Sequence, residues 1–371
     1  ERAPSPPPVP DPWSSTGRVP LRLAAADGAL SLGIDLGSGA ETAVRRVGDD
    51  VVDGGDRRAS FLLFEPALPG GTVRFDGRLY AGTIVVEARA GGGLRAHAWL
   101  DLEDYVSGVV AAELALWNAP PALLEAQAVA ARSYAVAQLE ARAAQGPRPV
   151  LHDSVLDQAF RGRFEPDAAG KSRGLDTRLA AAVAATRGRV LELGGRVLDA
   201  RFHAACGGHT ADFSDVFREP DPGGMRSVPC AGCSADPKAW NHTFAPSDLF
   251  DVARRFELGD RLVAIHPARS DARGRWLDTR LVGDRGERVL PVQELRRELG
   301  WQRWRSAAVV RTWPRDGVLA SGGLFVEGVG HGHGVGLCQN GARALADAGR
   351  DFRAILGHYY PGARLATFTA R

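Results

Sequence analysis

One long periodic segment constrains the fold more than any other part of the sequence. Residues 120–144, PPALLEAQAVAARSYAVAQLEARAA, repeat apolar side chains at helical spacing along nearly their whole length. The two prolines suit the first turn of a helix, because the first N–H groups of a helix have no partner within it. Gly146 and Pro147 then interrupt the pattern. We therefore predict a long helix with a buried apolar face.

The rest of the chain is organised in blocks. Residues 1–20 are rich in Pro and Ser, which predicts an extended tether outside the fold. Residues 21–102 contain short alternating runs such as FLLFE and TIVVEA, typical of a β-rich N-terminal part. Residues 103–371 predict a mixed core with several helices. Strands and helices are segregated rather than alternating, so we expect an α+β fold.

Four further segments of the mixed core have clear patterns. VSGVVAAELA predicts a helix that ends near Asn118, and TRLAAAVAATRG predicts a second helix capped by Gly188. RVLELGGRVLDARFH predicts two strands joined by a Gly-Gly turn. NGARALADAGRDFRAILGHYYPG is expected to form one final helix.

Charge and hydropathy exclude some classes of partner. The formal net charge is +2, so the chain has no strong overall field to attract nucleic acid, and we expect no nucleic-acid partner. No apolar run approaches the length needed to span a bilayer.

Glu113 is the candidate acid. At helical spacing Val106, Val109, Val110, Glu113 and Trp117 share one face. A carboxylate on an apolar face loses solvation, which disfavours its charged form and suits a general acid. The alternative is a helix-end glutamate paired with an arginine such as Arg132.

A cluster of cysteines and histidines indicates a metal. CxxC at Cys230 and Cys233, with Cys206 and His209 upstream, is spacing typical of tetrahedral Zn²⁺. We predict these four residues as ligands, with His203 in reserve, on the loop 203–240. A disulfide from Cys206 to one of the other two cysteines is the alternative. A site closed by four protein ligands is structural, whereas three ligands and a water would permit a zinc-dependent hydrolase.

Several motifs together resemble a known family. GVVAAELA…ALLEAQAVAARSYAVA, the Asp157-Gln158 pair, ATRGRVLELGGRVLDARFHAACGGHT and GHGHGVGLCQNGA…ILGHYYPG occur in order. They are similar to the signatures of the stage II sporulation protein D (SpoIID/LytB) family. Cys338 stands where the family usually has serine, and we expect it to be a small, half-buried residue.

The resemblance implies a secreted lytic transglycosylase that cleaves the MurNAc–GlcNAc bond of peptidoglycan and leaves 1,6-anhydroMurNAc ends. Glu113 would act first as acid and then as base, with a preference for glycan free of stem peptides. Asp157 would be the residue to test if the reaction were hydrolysis. The protein is expected in the periplasm or cell envelope, where an N-terminal membrane tether is compatible with residues 1–20.

Other residues are predicted to contact the glycan. The glycine-rich loop before the last helix can approach a ligand closely, and His333 matches the family's GHGVG histidine. Its alternative is a turn whose histidines bond to the backbone. Four aromatics, namely Trp117, Tyr134, Tyr359 and Tyr360, are candidates for stacking on sugar rings, although core packing is favoured for each. The predicted substrate-binding residues are Arg132, Tyr134, Asp157, Gln158, His333 and Gln339.

A different class of function stays open. The LytB branch of the family is associated with enhancing a partner amidase, so the chain could be a non-catalytic wall-binding protein. Zinc-dependent hydrolysis is a third hypothesis, weakened because no HExxH motif is present.

Overall fold

A computed structural model gives the fold. It describes residues 18–22, 31–32, 42–66, 71–75, 78–89, 91–145, 150–154, 157–160, 162, 177–314, 317, 319 and 323–368. The chain forms two compact units, one of residues 1–199 with 364–371 and the other of residues 200–363. We call them the outer unit and the inserted unit. Residues 1–17, most of the predicted tether, lie outside the described residues, and its last three residues begin a strand.

Strands and helices follow one another in blocks. The strands are β1 Arg18–Arg22, β2 Ser31–Leu32, β3 Thr42–Val47, β4 Asp50–Asp53, β5 Arg58–Ala59, β6 Phe61–Phe64, β7 Val73–Phe75, β8 Arg78–Tyr80, β9 Gly82–Ala88, β10 Leu94–Asp101, β11 Leu151–His152, β12 Arg189–Leu193, β13 Arg196–Val197, β14 Phe202–His203, β15 Ala239–Phe244, β16 Leu262–Ser270, β17 Trp276–Gly283, β18 Glu287–Pro291, β19 Val309–Trp313, β20 Leu324–Val329, β21 Leu337–Cys338 and β22 Arg364–Thr367. The helices are α1 Leu102–Glu113, α2 Pro121–Ala143, α3 Thr177–Ala185, α4 Phe213–Val216, α5 Ala231–Ala235, α6 Pro246–Arg255, α7 Val292–Leu299, α8 Gln339–Asp347 and α9 Phe352–Tyr359, with a 3-10 turn at Leu116–Asn118. The α+β prediction is confirmed.

The outer unit packs helices beside a five-stranded sheet. The sheet order is β11-β1-β10-β9-β6, and β9 and β10 run antiparallel with Ile84 opposite Ala98 and Val86 opposite Ala96. All four of these side chains are buried. Asp101 ends β10 and also caps α1, because its side chain accepts the N–H of Glu103.

Helix α2 is the predicted long helix and forms the centre of the outer unit. It begins at Pro121, with Pro120 as its N-cap, and its buried residues cover most of its length. It packs against α1, α3 and β12. Ser133 links α2 to β12, since its hydroxyl accepts the N–H of Leu191 at 2.8 Å.

The inserted unit has two three-stranded sheets around a common core. Their orders are β15-β20-β19 and β16-β17-β18, and a short parallel pair joins β14 to β21. Buried aromatic residues fill the core, with Phe244, Trp276 and Trp304 in contact. The chain leaves the outer unit after β13 and returns as β22, which pairs with β12.

Two sequence predictions fail at helix ends. Helix α1 stops at Glu113 because Leu114 adopts an extended conformation, so Trp117 lies outside the helix and is 80% exposed. The predicted single final helix is two helices. Gly349 has a φ of 79°, and Asp351 then caps α9 by accepting the N–H of Ala354. Among the described helices, none has the length and apolarity to cross a membrane.

Candidate active site

Glu113 lies at the last position of α1, where its side chain is half-buried. One carboxylate oxygen accepts the backbone N–H of Ala159 at 2.9 Å. A backbone donor is fixed in space and carries no net charge. It therefore orients the carboxyl group.

The position of that donor depends on Asp157. Its carboxylate accepts hydrogen bonds from the Tyr134 hydroxyl (2.9 Å), the Arg142 guanidinium (2.9 Å) and the backbone N–H of His152 (2.8 Å). The Asp157 side chain is fully buried and forms an ion pair with Arg142. A carboxylate with this many donors is a fixed structural group.

Gln158 and Phe160 complete the anchoring of the segment 157–160. The Gln158 side chain accepts from the Tyr105 hydroxyl at 3.1 Å and donates to the Ala131 carbonyl at 3.3 Å. Burial raises the pKa of Tyr105 well above its ordinary value, so the hydroxyl stays a donor. The Phe160 ring stacks on Tyr105, with 5.5 Å between ring centroids.

Phe160 also touches α1 directly. A Cβ atom at Gly108 would lie 2.3 Å from the Phe160 ring, so only glycine permits this approach. On its other side the ring stacks on Tyr80, with 5.9 Å between ring centroids. The segment 157–160 is therefore held by α1, α2 and β8, and it presents the Ala159 N–H to Glu113.

The structure places four of the predicted substrate-binding residues in the interior of the protein. Arg132 is fully buried, and its guanidinium binds Glu103 and the carbonyls of Ala128 and Arg189. Tyr134 and Gln158 are 4% and 2% exposed, and Asp157 is held as described above. All four side chains support the structure around Glu113, and their contact with substrate stays a prediction.

His333 is also engaged within the protein. Its Nδ1 accepts the N–H of Val335 at 3.0 Å, so its Nε2 donates to the carbonyl of Phe202 at 2.8 Å. Burial, with His203 and Arg201 nearby, holds the pKa of His333 well below its usual value. Both ring nitrogens therefore bond to the backbone, as the alternative expected, and a sugar contact through this half-buried ring stays a prediction.

Gln339 is the remaining predicted contact. It is buried at the first position of α8 in the inserted unit, whereas Glu113 belongs to the outer unit. Its contact with substrate stays a prediction.

The four cysteines come together in the inserted unit. The sulfur atoms of Cys206, Cys230, Cys233 and Cys338 all lie within 4.8 Å of one another, and all four residues are buried and free of disulfides. The Cys233 and Cys338 sulfurs are 3.4 Å apart. Hydrogen bonding from Cys206 lowers the pKa of Cys230 to about 7, which favours a thiolate.

This geometry corrects the predicted ligand set. Cys338 takes the fourth position that the sequence assigned to His209, and it is fully buried rather than half-buried. Cys338 is the last residue of β21, which pairs with β14 and places Cys338 opposite His203. His203 instead directs Nδ1 to the carbonyl of Val335 at 3.0 Å.

The four aromatic candidates for sugar stacking differ in how far they are buried. Tyr134, Tyr359 and Tyr360 are buried, as the core-packing alternative expected. Trp117 is exposed on the 3-10 turn that follows Glu113, and Arg178 holds that turn by donating to the Leu116 carbonyl at 2.6 Å.

The fold and this site define a class: an α+β protein with a half-buried glutamate at the end of a buried helix. Residues 90–192, which include α1, α2 and the segment 157–160, match the family model described as SpoIID, Stage II sporulation protein.

Three relatives extend the similarity. The stage II sporulation protein D of Bacillus amyloliquefaciens is 29% identical over 271 residues, covering 71% of this chain and 73% of that protein. The protein of the same name from Bacillus subtilis is 26% identical over 278 residues, covering 72% and 75%. An uncharacterized protein of Brachyspira hyodysenteriae is 27% identical over 273 residues, covering 72% and 67%. These matches support the stage II sporulation protein D family for this chain, and a cell-wall role fits that family.

Proposed function

We propose that the chain is a peptidoglycan lytic transglycosylase in which Glu113 is the acid and the base. The observation that carries this proposal is the half-buried Glu113 carboxyl at the end of α1, which accepts the backbone N–H of Ala159. Similarity to the family supplies the cell-wall context.

The chemistry needs only one carboxyl group. Glu113 donates its proton to the oxygen between MurNAc and GlcNAc as the C1–O bond breaks. The resulting carboxylate accepts the proton of the MurNAc 6-hydroxyl while that oxygen bonds to C1. The products are a 1,6-anhydro end and a free GlcNAc hydroxyl, and Glu113 regains its proton without any water being consumed.

The state of Asp157 favours this route over hydrolysis. Hydrolytic glycosidases use a pair of carboxyl groups, one of which acts on water or on the sugar itself. Asp157 was the sequence candidate for that second group, but its carboxylate is buried and bound to Tyr134, Arg142 and the His152 N–H. A group so engaged is a poor base.

Trp117 is the residue we propose as a sugar-stacking surface. Its indole is 80% exposed four residues beyond Glu113, and the turn that carries it is fixed by Arg178. A large exposed aromatic ring beside a candidate catalytic residue suits the apolar face of a sugar ring. Trp117→Ala is expected to raise KM several-fold with kcat less affected, whereas Trp313→Ala, which removes an exposed indole in the inserted unit, should leave both unchanged.

The central test digests intact and amidase-treated peptidoglycan and analyses the products by mass spectrometry. Wild type should release anhydro-ended fragments, faster from the amidase-treated glycan, and Glu113→Gln should lower the rate by about 10²–10⁴-fold. Glu140→Gln makes the same chemical change on the exposed end of α2 and serves as the control. Reducing-end products that depend on Glu113 would replace transglycosylation by hydrolysis.

A second candidate function is enhancement of a partner amidase. Over 79 residues, 21% of this chain, the sequence is 37% identical to a protein of Bacillus subtilis named amidase enhancer, of which the match covers 10%. If neither substrate yields Glu113-dependent products, but addition of the chain accelerates an amidase on the same peptidoglycan, this function replaces the first. Either activity would place the protein outside the cytoplasmic membrane, in contact with the wall.

We further propose that the four cysteines hold a structural Zn²⁺. Tetrahedral Zn²⁺ with thiolate ligands at about 2.3 Å requires sulfur atoms roughly 3.8 Å apart. Four buried sulfurs within 4.8 Å of one another fit that requirement closely. Four protein ligands leave no position for water, so the ion would join three segments rather than catalyse: the 206 turn, α5 and the start of α8.

Zinc content by mass spectrometry of the purified protein tests this site. We expect one Zn²⁺ per chain in wild type and in His209→Asn, and loss of the ion with reduced thermal stability in Cys338→Ser. Retention of zinc in Cys338→Ser but not in His209→Asn would restore the ligand set expected from the sequence.

A further inference from the structure

A pocket lies wholly within the inserted unit. It has a volume of about 280 Å³ between the turn at Gly207–His209, the hairpin tip around Gly274 and the start of β19. This volume suits a small molecule of about a dozen heavy atoms rather than a length of glycan. It belongs to neither the Glu113 site nor the interior of the thiol cluster, although Cys206 contributes to its wall.

The polar wall of this pocket is cationic. Arg273 is exposed, and its guanidinium has no ion-pair partner among the described residues. Arg275 lies behind it, 6% exposed, donating to the carbonyls of Cys206 and His209 at 3.0 and 2.9 Å. The Arg275 Nε–H is buried without a hydrogen-bond acceptor, since the nearest carboxylate oxygen, on Asp271, is 3.7 Å away.

The surrounding charges do not neutralise the pocket. Asp271 is the nearby acid, and one of its oxygens already accepts the backbone N–H groups of Arg273 and Arg275, each at 2.9 Å. His209 lines the same wall, and burial together with the two arginines lowers its pKa. Desolvation is the largest cause of this shift, and the two guanidinium charges act in the same direction. One guanidinium therefore remains available to an anion.

The pocket also has an apolar wall. It consists of Ala308, Val309, Val310 and Val329, and Val310 is 60% exposed. An inorganic anion gains nothing from methyl groups, whereas a carboxylate next to a methyl group would satisfy both walls at once. The combination selects a small organic acid over a bare phosphate or sulfate.

We propose that this pocket binds the carboxylate of a 2-substituted propionate, with the methyl group against the valines and the carboxylate on Arg273. In peptidoglycan two groups have this chemistry: the lactyl side chain of stem-free muramic acid and the D-alanine terminus of a stem peptide. The choice of these two ligands rests on the proposed cell-wall function. Binding by the pocket itself requires no catalysis by Glu113.

Ligand-observed NMR with wild type and three small probes tests the proposal. N-acetylmuramic acid differs from N-acetylglucosamine only by the lactyl group, so tighter binding of the former by tenfold or more is expected and would identify the lactyl group as the ligand. Tighter binding of D-alanyl-D-alanine would identify the stem peptide instead. Inorganic phosphate is the control, and equal affinity for phosphate and for both carboxylates would overturn the proposal, as would no binding of either.

Two substitutions locate the binding site. Arg273→Gln removes one charge-assisted hydrogen bond and should weaken binding about 10-fold or more, and Val310→Glu should abolish it by placing a carboxylate in the wall. Arg261→Gln removes an exposed arginine of the same unit that does not line the pocket, and it should have no effect. Unchanged affinity in Arg273→Gln would also refute the site. Failure here leaves anhydro-product formation by Glu113 untouched, so the two proposals fail separately.

Discussion

Replacing Gly108 by alanine tests whether the segment 157–160 is held against α1 as the structure indicates. Helix propensity alone predicts that alanine stabilises an α-helix by about 1 kcal/mol relative to glycine. The close approach of Phe160 opposes this gain, because the added Cβ would lie 2.3, 2.8 and 2.9 Å from three ring atoms. The sign of the change in unfolding free energy therefore decides between local propensity and packing.

The Phe160 ring cannot move away cheaply. It is 3% exposed and lies between Tyr80 and Tyr105. Forcing an extra methyl group into a packed site costs about 1–3 kcal/mol, and loss of each ring stacking costs about 0.5–1.5 kcal/mol. After subtracting the propensity gain, we expect Gly108→Ala to destabilise the protein by about 1–5 kcal/mol, the upper end applying if both ring stackings are lost.

Urea unfolding at constant slope measures the stability change, and amide hydrogen exchange of the peptide containing Ala159 reports on the hydrogen bond to Glu113. We expect a lower midpoint, faster exchange and slower glycan cleavage together. The double variant Gly108→Ala with Phe160→Leu should recover part of the loss, giving a coupling energy above about 0.5 kcal/mol. A more stable Gly108→Ala protein with unchanged exchange at Ala159 would refute the packing described here.

Three further predictions concern the supports of the site and the inserted unit. Arg132→Met leaves Glu103 without its ion-pair partner in a site that is 12% exposed, and should lower the unfolding free energy by about 3–5 kcal/mol, measured by denaturant titration. Asp157→Asn should weaken the tie to Arg142 and lower the rate of glycan cleavage while raising hydrogen exchange in the segment 157–160, and an unchanged exchange rate would count against its role. The pKa of His333 is lower in the folded protein than in the unfolded chain, so the unfolded state binds more protons as the pH falls below about 6.5. The free energy of unfolding should therefore decrease below that pH, by at most about 1.4 kcal/mol per pH unit. His333→Asn should flatten this pH dependence, measured by thermal unfolding between pH 7 and 5.

Prediction from the sequence was most accurate for elements whose structure is determined by one local interaction. The period of α2 and its leading prolines gave the long helix and its start, because burial along one face determines both. The Gly-Gly turn between β12 and β13 was equally local. In contrast, α6 was not predicted, although its pattern is amphipathic.

The sequence identified Glu113 as the central residue of the candidate site, but it did not identify the residues that hold this site in place. Glu113 follows from a motif and a helical face, whereas the roles of Asp157 and Gln158 depend on contacts between positions far apart in sequence. Nothing in the local pattern of residues 102–113 distinguishes Gly108 as the position under an aromatic ring. Cys338 was missed because it lies about a hundred residues from the CxxC pair, yet an even count of four cysteines was a usable signal.

The pairing of β22 with β12 has a consequence for the order in which the protein folds. Ribosomes deliver the chain from its N-terminus, so Arg189–Leu193 emerges long before Arg364–Thr367. The edge of β12 that pairs with β22 therefore stays unpaired while the whole inserted unit is synthesised. We expect the inserted unit, which is continuous in sequence, to become compact while one sheet of the outer unit is still incomplete. Completion of the sheet against which α2 packs would then be among the last events of folding, so an incomplete chain would carry the acid while this sheet still lacks a strand.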